Sequence, residues 1–388
     1  MSTAALMTWG RRRSTPRRIA LSSGPVVFAV EDTTVQLTWR TLPVGPVRFV
    51  TDRSRVEVES DGGPGAVVLD RLDPATDGAV VVQTTEGSLD VPFRTLASPP
   101  GAELFRFATI SDVHLGKSTF GLRHTISEPE VDEAHPIRCA RSALVDLTAW
   151  GAERLVVKGD LVDANHASAW ALASDLLTGS PLAPTLLPGN HELAHGDQGA
   201  FARARQHGLE LVSEVETLDV PGLRIVGMNS AIEDRDVGRW GHLREAAVDA
   251  VGTAEGPALL LVHHHPQPAP VPTHFPPGID SVSARRFLRA VTATNQSVMG
   301  SSGHTHRHRF RELAGVPWSE VGSTKDYPGT WAGYVVHEGG IRQVVRRVSD
   351  ISCLRWLDRT RWAAGGAWGL WSPGRLSDRC FTHCWPSG

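Results

Sequence analysis

Five short polar clusters recur along the middle of this 388-residue chain. They are "DVH" with Asp112 and His114, "GDLVD" with Asp160 and Asp163, "GNHE" with Asn190 and His191, "HHHP" with His263, His264 and His265, and "GHTH" with His304 and His306. Taken singly, each reads as a turn, a helix cap or a hydrogen-bonded histidine. Taken together, they mix carboxylate, amide oxygen and imidazole, a donor set that suits Mn, Fe or Zn rather than a thiolate-bound ion. Two cations about 3.5–4 Å apart need a shared carboxylate and several neutral imidazoles, and the five clusters supply both. His304 and His306 are two residues apart, so on a strand they point to the same face. His308 continues that spacing but stands among arginines, as a solvated strand end would.

The clusters must be positioned by the elements before them. From residue 104 the chain alternates apolar strands, polar loops and helices. "LFRFATI", "RLVVK", "LRIVGM" and "ALLLV" read as buried strands, and "PIRCARSALVDLTAWG" as an amphipathic helix with proline near its start and glycine after its end. Polar clusters just past such strands are how layered α/β enzymes build a site. Residues 22–100 differ: "TVQLTW", "RVEVES", "AVVVQT" and "DVPFRT" are short strands separated by turns, the pattern of a small β-sandwich. "ASPPG" at 97–101 reads as a linker. The expected organisation is a disordered leader at 1–21, a β-sandwich at 22–100, a layered α/β domain at 101–350 and a tail at 351–388. The tail holds five of the twelve tryptophans and three of the four cysteines. Those tryptophans are expected to pack on a domain or a protein partner.

Composition narrows the function classes. A net charge of −3 disfavours binding to nucleic acid or acidic lipid. No apolar run approaches the roughly 20 residues that cross a bilayer. Four cysteines do not make a disulfide scaffold. The basic N-terminus resembles an export signal in charge, but no cleavage site follows it, so a cytoplasmic location is expected.

With all five clusters in this order, residues 104–345 resemble the calcineurin-like metallophosphoesterase superfamily. The resemblance implies a four-layer αββα sandwich, here behind an all-β domain that resembles a fibronectin type III module, with Gly78 where that module carries its corner tyrosine. It implies two divalent ions. Asp112, His114 and His306 would hold the first, Asp160 would bridge, and Asn190, His264 and His304 would hold the second. If the strand before "HHHP" ends one residue earlier, His263 replaces His264. His191 would stabilise the phosphoryl group or protonate the leaving oxygen, and Asp163 and Glu192 would orient ligands. The implied reaction is hydrolysis of a small phosphoester by a hydroxide shared between the ions.

Purple acid phosphatases also carry a leading β-sandwich, but they have glycine at the place of His114 and tyrosine at that of Asp163. "DVH" and "GDLVD" look more like the bacterial cyclic-nucleotide and glycerophosphodiester phosphodiesterases, many of which have "GNHD" where this chain has "GNHE". Two loops are expected to contact substrate: 117–136, through Lys117, Arg123 and His124, and 266–280, through His274 and Phe275, with His265 as a further phosphate contact. A phosphomonoesterase, a non-catalytic scaffold that binds a protein partner through the sandwich or tail, and a nuclease are the alternatives.

Overall fold

A computed structural model describes residues 23–121, 124–129, 132–193, 199–233 and 235–386. The leader expected at 1–21 lies outside the described residues, as does Arg123.

Two six-stranded sheets form the body of the chain. The first has the order 184–187, 154–158, 103–110, 330–337, 340–347 and 381–384. The strands at 103–110, 154–158 and 184–187 run parallel, and the other three are antiparallel. The second has the order 215–220, 223–228, 258–262, 298–302, 316–320 and 309–313, with a parallel centre and an antiparallel hairpin at each edge.

Side-chain alternation shows how the layers stack. Phe105, Phe107 and Val156 of the first sheet share a core with Ile225, Leu259 and Leu261 of the second. The intervening residues face outward. Leu260 and Val262 pack with Val251, Phe287 and Leu288, from helices Arg244–Gly252 and Ser281–Thr294. Ala108, Ile110 and Val157 pack with Ala143, Leu147 and Trp170, from helices His135–Ala149 and Ala167–Thr178. The result is helix, sheet, sheet, helix. Strands covered on both faces carry no polar alternation, which is why "ALLLV" is buried at every residue.

The N-terminal strands form a three-stranded sheet (26–30, 35–39, 65–69) and a four-stranded sheet (55–60, 45–50, 77–84, 87–94). Trp39 of one stacks on Phe49 of the other at 5.1 Å. This sandwich is fastened to the strand at 340–347. Gln36 and Arg347 exchange two hydrogen bonds, at 2.8 and 2.9 Å. Glu31, 3% exposed, accepts from Arg346, Arg342 and the indole of Trp150.

The tail is woven into the same body. Residues 381–384 are the outer strand of the first sheet. Helix Ile351–Thr360 buries Trp356, which stacks on His135 at 3.8 Å. Trp362 and Trp371 depart from the expected packing, at 59% and 44% exposure. Cys353 and Cys380 are buried while Cys384 is exposed.

Burial alone would raise the Glu31 pKa, but Arg346 and Arg342 outweigh it and hold it below the ordinary value. A carboxylate shifted this way stabilises the fold above its unfolded pKa, and the contribution is lost as pH falls through the folded one. Glu31→Ala should destabilise the protein by about 3 kcal/mol in urea unfolding at neutral pH, because Arg346 loses its carboxylate and the buried Arg342 keeps only Asp32. Wild-type stability should drop more steeply than that of Glu31→Gln below about pH 4.5.

Candidate metal centre

All five clusters, and a sixth at Lys325 and Asp326, sit at the C-terminal ends of the strands, where the two sheets face each other. Asp112 and His114 follow strand 103–110, Asp160 and Asp163 follow 154–158, and Asn190 and His191 follow 184–187. From the second sheet, His263 follows 258–262, His304 and His306 follow 298–302, and Asp326 follows 316–320. The first two loops are stitched together, since Asp112 N–H donates to Gly159 O and His114 N–H to Asp160 O.

Five of these residues have left-handed backbones: Asp112, His114, Asp160, His304 and His306, with φ between +51° and +69°. Each costs of order 1–2 kcal/mol in a residue other than glycine, and such strain concentrates at functional sites. The glycines that open the motifs allow close approach. A Cβ on Gly303 would lie 1.8 Å from Ser111 Oγ, and one on Gly189 would lie 2.1 Å from Asp160 Oδ1.

The expected strand carrying His304 and His306 ends earlier, at Ser302. The two rings diverge from a turn. His306 Nε2 lies 3.4 Å from Asp112 Oδ1 and 3.3 Å from His114 Nε2. His304 Nδ1 lies 3.3 Å from His263 Nε2. His308 is buried rather than solvated: Nδ1 accepts from Gly322 N–H, and Nε2 meets the Thr330 hydroxyl.

Each inward ring nitrogen belongs to an imidazole whose other nitrogen is already engaged. His114 Nδ1 is 3.1 Å from Asp163 Oδ1, and His306 Nδ1 is 2.6 Å from Asp326 Oδ2. His263 Nδ1–H donates to Lys158 O at 2.8 Å, and His304 Nε2–H to Pro276 O at 3.0 Å. Such fixing of tautomer and ring is what metal-binding histidines require. The inward atoms form two groups. Asp112, His114 and His306 make one and His263, His264 and His304 the other, with Asn190 Oδ1 3.1 Å from His263 Nε2. Asp160 Oδ2 stands between them, 3.6 Å from His114 Nε2 and 3.3 Å from His263 Nε2.

Of the two "HHHP" candidates, His263 is the one whose Nε2 faces Asp160 Oδ2 and Asn190 Oδ1. Leu259 and Leu261 face the space between the sheets, and His263 continues that side. His264 Nδ1 lies 3.0 Å from the Ser230 hydroxyl, its buried Nε2 has no partner, and its ring stands 4.6 Å from that of His304.

The electrostatics favour cations here. Burial works against charge on His306, yet Asp326 and Asp112 outweigh it and raise its pKa to about 10. His263 rises to about 9 in the same way, against burial, through Asp160. His304, whose ring meets His263 rather than a carboxylate, is pushed down to about 3 by burial and by His263. Nearly dry carboxylates that pull protons onto neighbouring imidazoles equally favour divalent ions, so the donor set fits divalent metal.

His191 is 30% exposed at its side chain. Its Nδ1–H donates to Asp163 O at 2.8 Å, and its Nε2 lies 4.0 Å from Asp160 Oδ2. Asp163 also accepts from Lys117 Nζ at 2.9 Å. Glu192 accepts backbone N–H groups of Asp160, Val162 and Gly189, clamping two loops rather than facing the centre. Among the expected substrate contacts, His265 and His274 stand 5.8 and 5.7 Å from the His304 ring, so loop 266–280 reaches the site. His124 is exposed and its ring bonds Thr119.

Lys325 and Asp326 in "GSTKDYPG" were missed by the sequence reading, although they too are polar residues past a buried strand. The backbone acceptors Lys158 O and Pro276 O left no signal in residue type.

No protein-family model matches this chain, and no curated protein matches it. Among solved structures, a purple acid phosphatase from yellow lupin (Lupinus luteus) seeds is 12% identical, with 84% of this chain and 72% of that one covered and a TM-score of 0.48. PhoD is 9% identical, with 85% and 86% covered and a TM-score of 0.45. A phosphopantetheinyl hydrolase from Mycobacterium tuberculosis is 16% identical, with 57% and 91% covered and a TM-score of 0.36. Likeness this distant carries no chemistry, which has to come from the side chains themselves.

Asp326→Asn leaves His306 with a weaker, uncharged partner. Divalent-metal affinity should fall about 10–100-fold, measured by competition with a fluorescent chelator.

Proposed function

We propose that this chain is a calcineurin-like metallophosphoesterase, a metal-dependent hydrolase of small phosphodiesters. The observation that carries this reading is the pair of inward-facing donor groups sharing Asp160. Asp112, His114 and His306 would hold one ion, Asn190, His263 and His304 the other, and Asp160 would belong to both. Such ions, when bound, polarise phosphoryl oxygens and make water nucleophilic at neutral pH.

The chain's own residues supply the rest. Asp163 and Asp326 keep His114 and His306 in one tautomer and one orientation. His191 holds a proton on Nδ1 for Asp163 O and turns Nε2 toward the centre, where it serves the leaving oxygen. Loop 266–280 walls off one side, through His274 and through Pro276 against His304. The lysines nearby already face carboxylates: Lys117 bonds Asp163, and Lys325 lies in the field of Asp326. A singly charged diester asks for less compensating charge than a doubly charged monoester, which favours the diester. No helix among the described residues is long and apolar enough to cross a membrane.

Metal-stripped protein should regain hydrolysis of bis(p-nitrophenyl) phosphate when Mn²⁺, Fe²⁺ or Zn²⁺ is returned. It should act more weakly on p-nitrophenyl phosphate, and Asn190→Ala should lose at least about 100-fold. Folded protein without turnover under any metal would remove the catalytic reading. A preference for the monoester would make the chain a phosphatase with the same centre.

The two neighbouring histidines separate cleanly. His263→Ala should lower bound metal from two ions to one and abolish turnover, whereas His264→Ala should retain two, both read by elemental analysis of the purified variants.

A further inference from the structure

The C-terminal extension does not stop at the sheet edge. After helix 351–360 the chain turns through Ala364, Gly365 and Gly366, all with left-handed backbones, and helix Ala367–Trp371 follows. That turn brings Trp368 to the rim of the metal centre. Its ring lies 6.4 Å from the His306 ring, inclined at 67°, and 5.7 Å from Phe120. Phe120 belongs to a two-residue strand pair, 119–120 with 126–127, in the other loop over the site. Lys325 Nζ sits 5.3 Å from the Phe120 ring centre. Trp368 is half-buried, and its Nε1–H is shielded from solvent without a partner. An indole donor left unmatched in this way costs stability unless something accepts from it.

A second contact ties the same helix to the opposite wall. Trp371 stacks on Arg307, 5.1 Å from its guanidinium, and Arg307 donates to Thr273 O and Thr273 Oγ1 at 3.1 Å. Thr273 is the neighbour of His274. One short helix of the extension thus touches Phe120 of one bordering loop and reaches the other through Arg307.

From this placement we infer that the extension is part of the substrate pocket. Trp368 and Phe120 form the wall beside His306 that receives a planar aromatic group of the ester. Two aromatic rings suit a flat aromatic group better than an alkyl chain. The inference rests on the phosphodiesterase reading for the identity of the reacting centre, and on the geometry of the extension for its selectivity.

The test keeps the leaving group constant and varies the group that stays. The metal-loaded full chain is compared with Trp368→Leu and Phe120→Leu on phenyl p-nitrophenyl phosphate and ethyl p-nitrophenyl phosphate. Wild type should prefer the phenyl ester, and each variant should lose about tenfold more kcat/KM on the phenyl than on the ethyl ester. Trp368→Phe should recover part of that loss. In parallel, calorimetry should show phenyl phosphate bound about tenfold more weakly by Trp368→Leu than by wild type, with inorganic phosphate affected less. An unchanged phenyl-to-ethyl ratio in both leucine variants, with turnover retained, overturns the wall and leaves the phosphodiesterase reading intact. If wild type turns over neither ester but binds phenyl phosphate through Trp368, the catalytic reading fails and the aromatic site stands. If it neither reacts nor binds, both are overturned. Circular dichroism confirms that the variants are folded.

Discussion

The carboxylate of Asp160 is almost dry, 2% exposed, and Asp112 beside it is wholly buried. A buried charge must be neutralised or paired, and the neighbouring elements are arranged around that demand. Four imidazoles present one ring nitrogen to the carboxylates or to each other while the other nitrogen is engaged by Asp163, Asp326, Lys158 O or Pro276 O. The holding groups come from three segments, 158–163, Pro276 and Asp326, so the centre can form only when both sheets are in register. The left-handed backbones at Asp112, His114, Asp160, His304 and His306 fit the same view. No single loop would adopt them, and the closure of two sheets over one cluster imposes them.

Much of this was legible because apolar strands followed by polar clusters leave a plain pattern, and five clusters in one order are hard to produce by chance. The sequence was silent where both faces of a strand are buried. "ALLLV" is apolar throughout, so nothing in it says which of Leu261 or Val262 faces the space between the sheets, and the choice between His263 and His264 could not follow. The turn at His304 and His306 was hidden for another reason. Alternation reads as a strand, whereas the backbone there turns with left-handed angles, and His304 N–H donates to Asp112, 192 residues away in the chain. Asp326 was legible in principle, since "VPWSEVGSTKD" repeats the strand-then-polar pattern, but its cluster lacks a histidine to draw attention.

The ends of the chain were harder still. "FTHC" is too short for a strand signal, and it becomes one only by pairing with residues 340–343. The tail's composition set it apart from both domains, yet packing merges it with both. Cys380 Sγ accepts from Val30 N–H of the sandwich, Arg379 donates to Phe28 O, and helix 351–360 lies on helix 135–149. The strand at 340–347 thus has the sandwich on one side through Glu31 and Gln36 and the tail on the other through residues 381–384. That strand links three segments that composition alone would separate.

The central claim is that two cations share Asp160, with His263 rather than His264 holding one of them. Crystals grown with Mn²⁺ and measured at the manganese absorption edge test it directly. Two anomalous peaks about 3.5–4 Å apart are expected, flanking the Asp160 carboxylate, one beside His114 and His306 and the other beside Asn190, His263 and His304. A single peak, a peak on His264 with His263 uncoordinated, or no peak at Asp160 would contradict it.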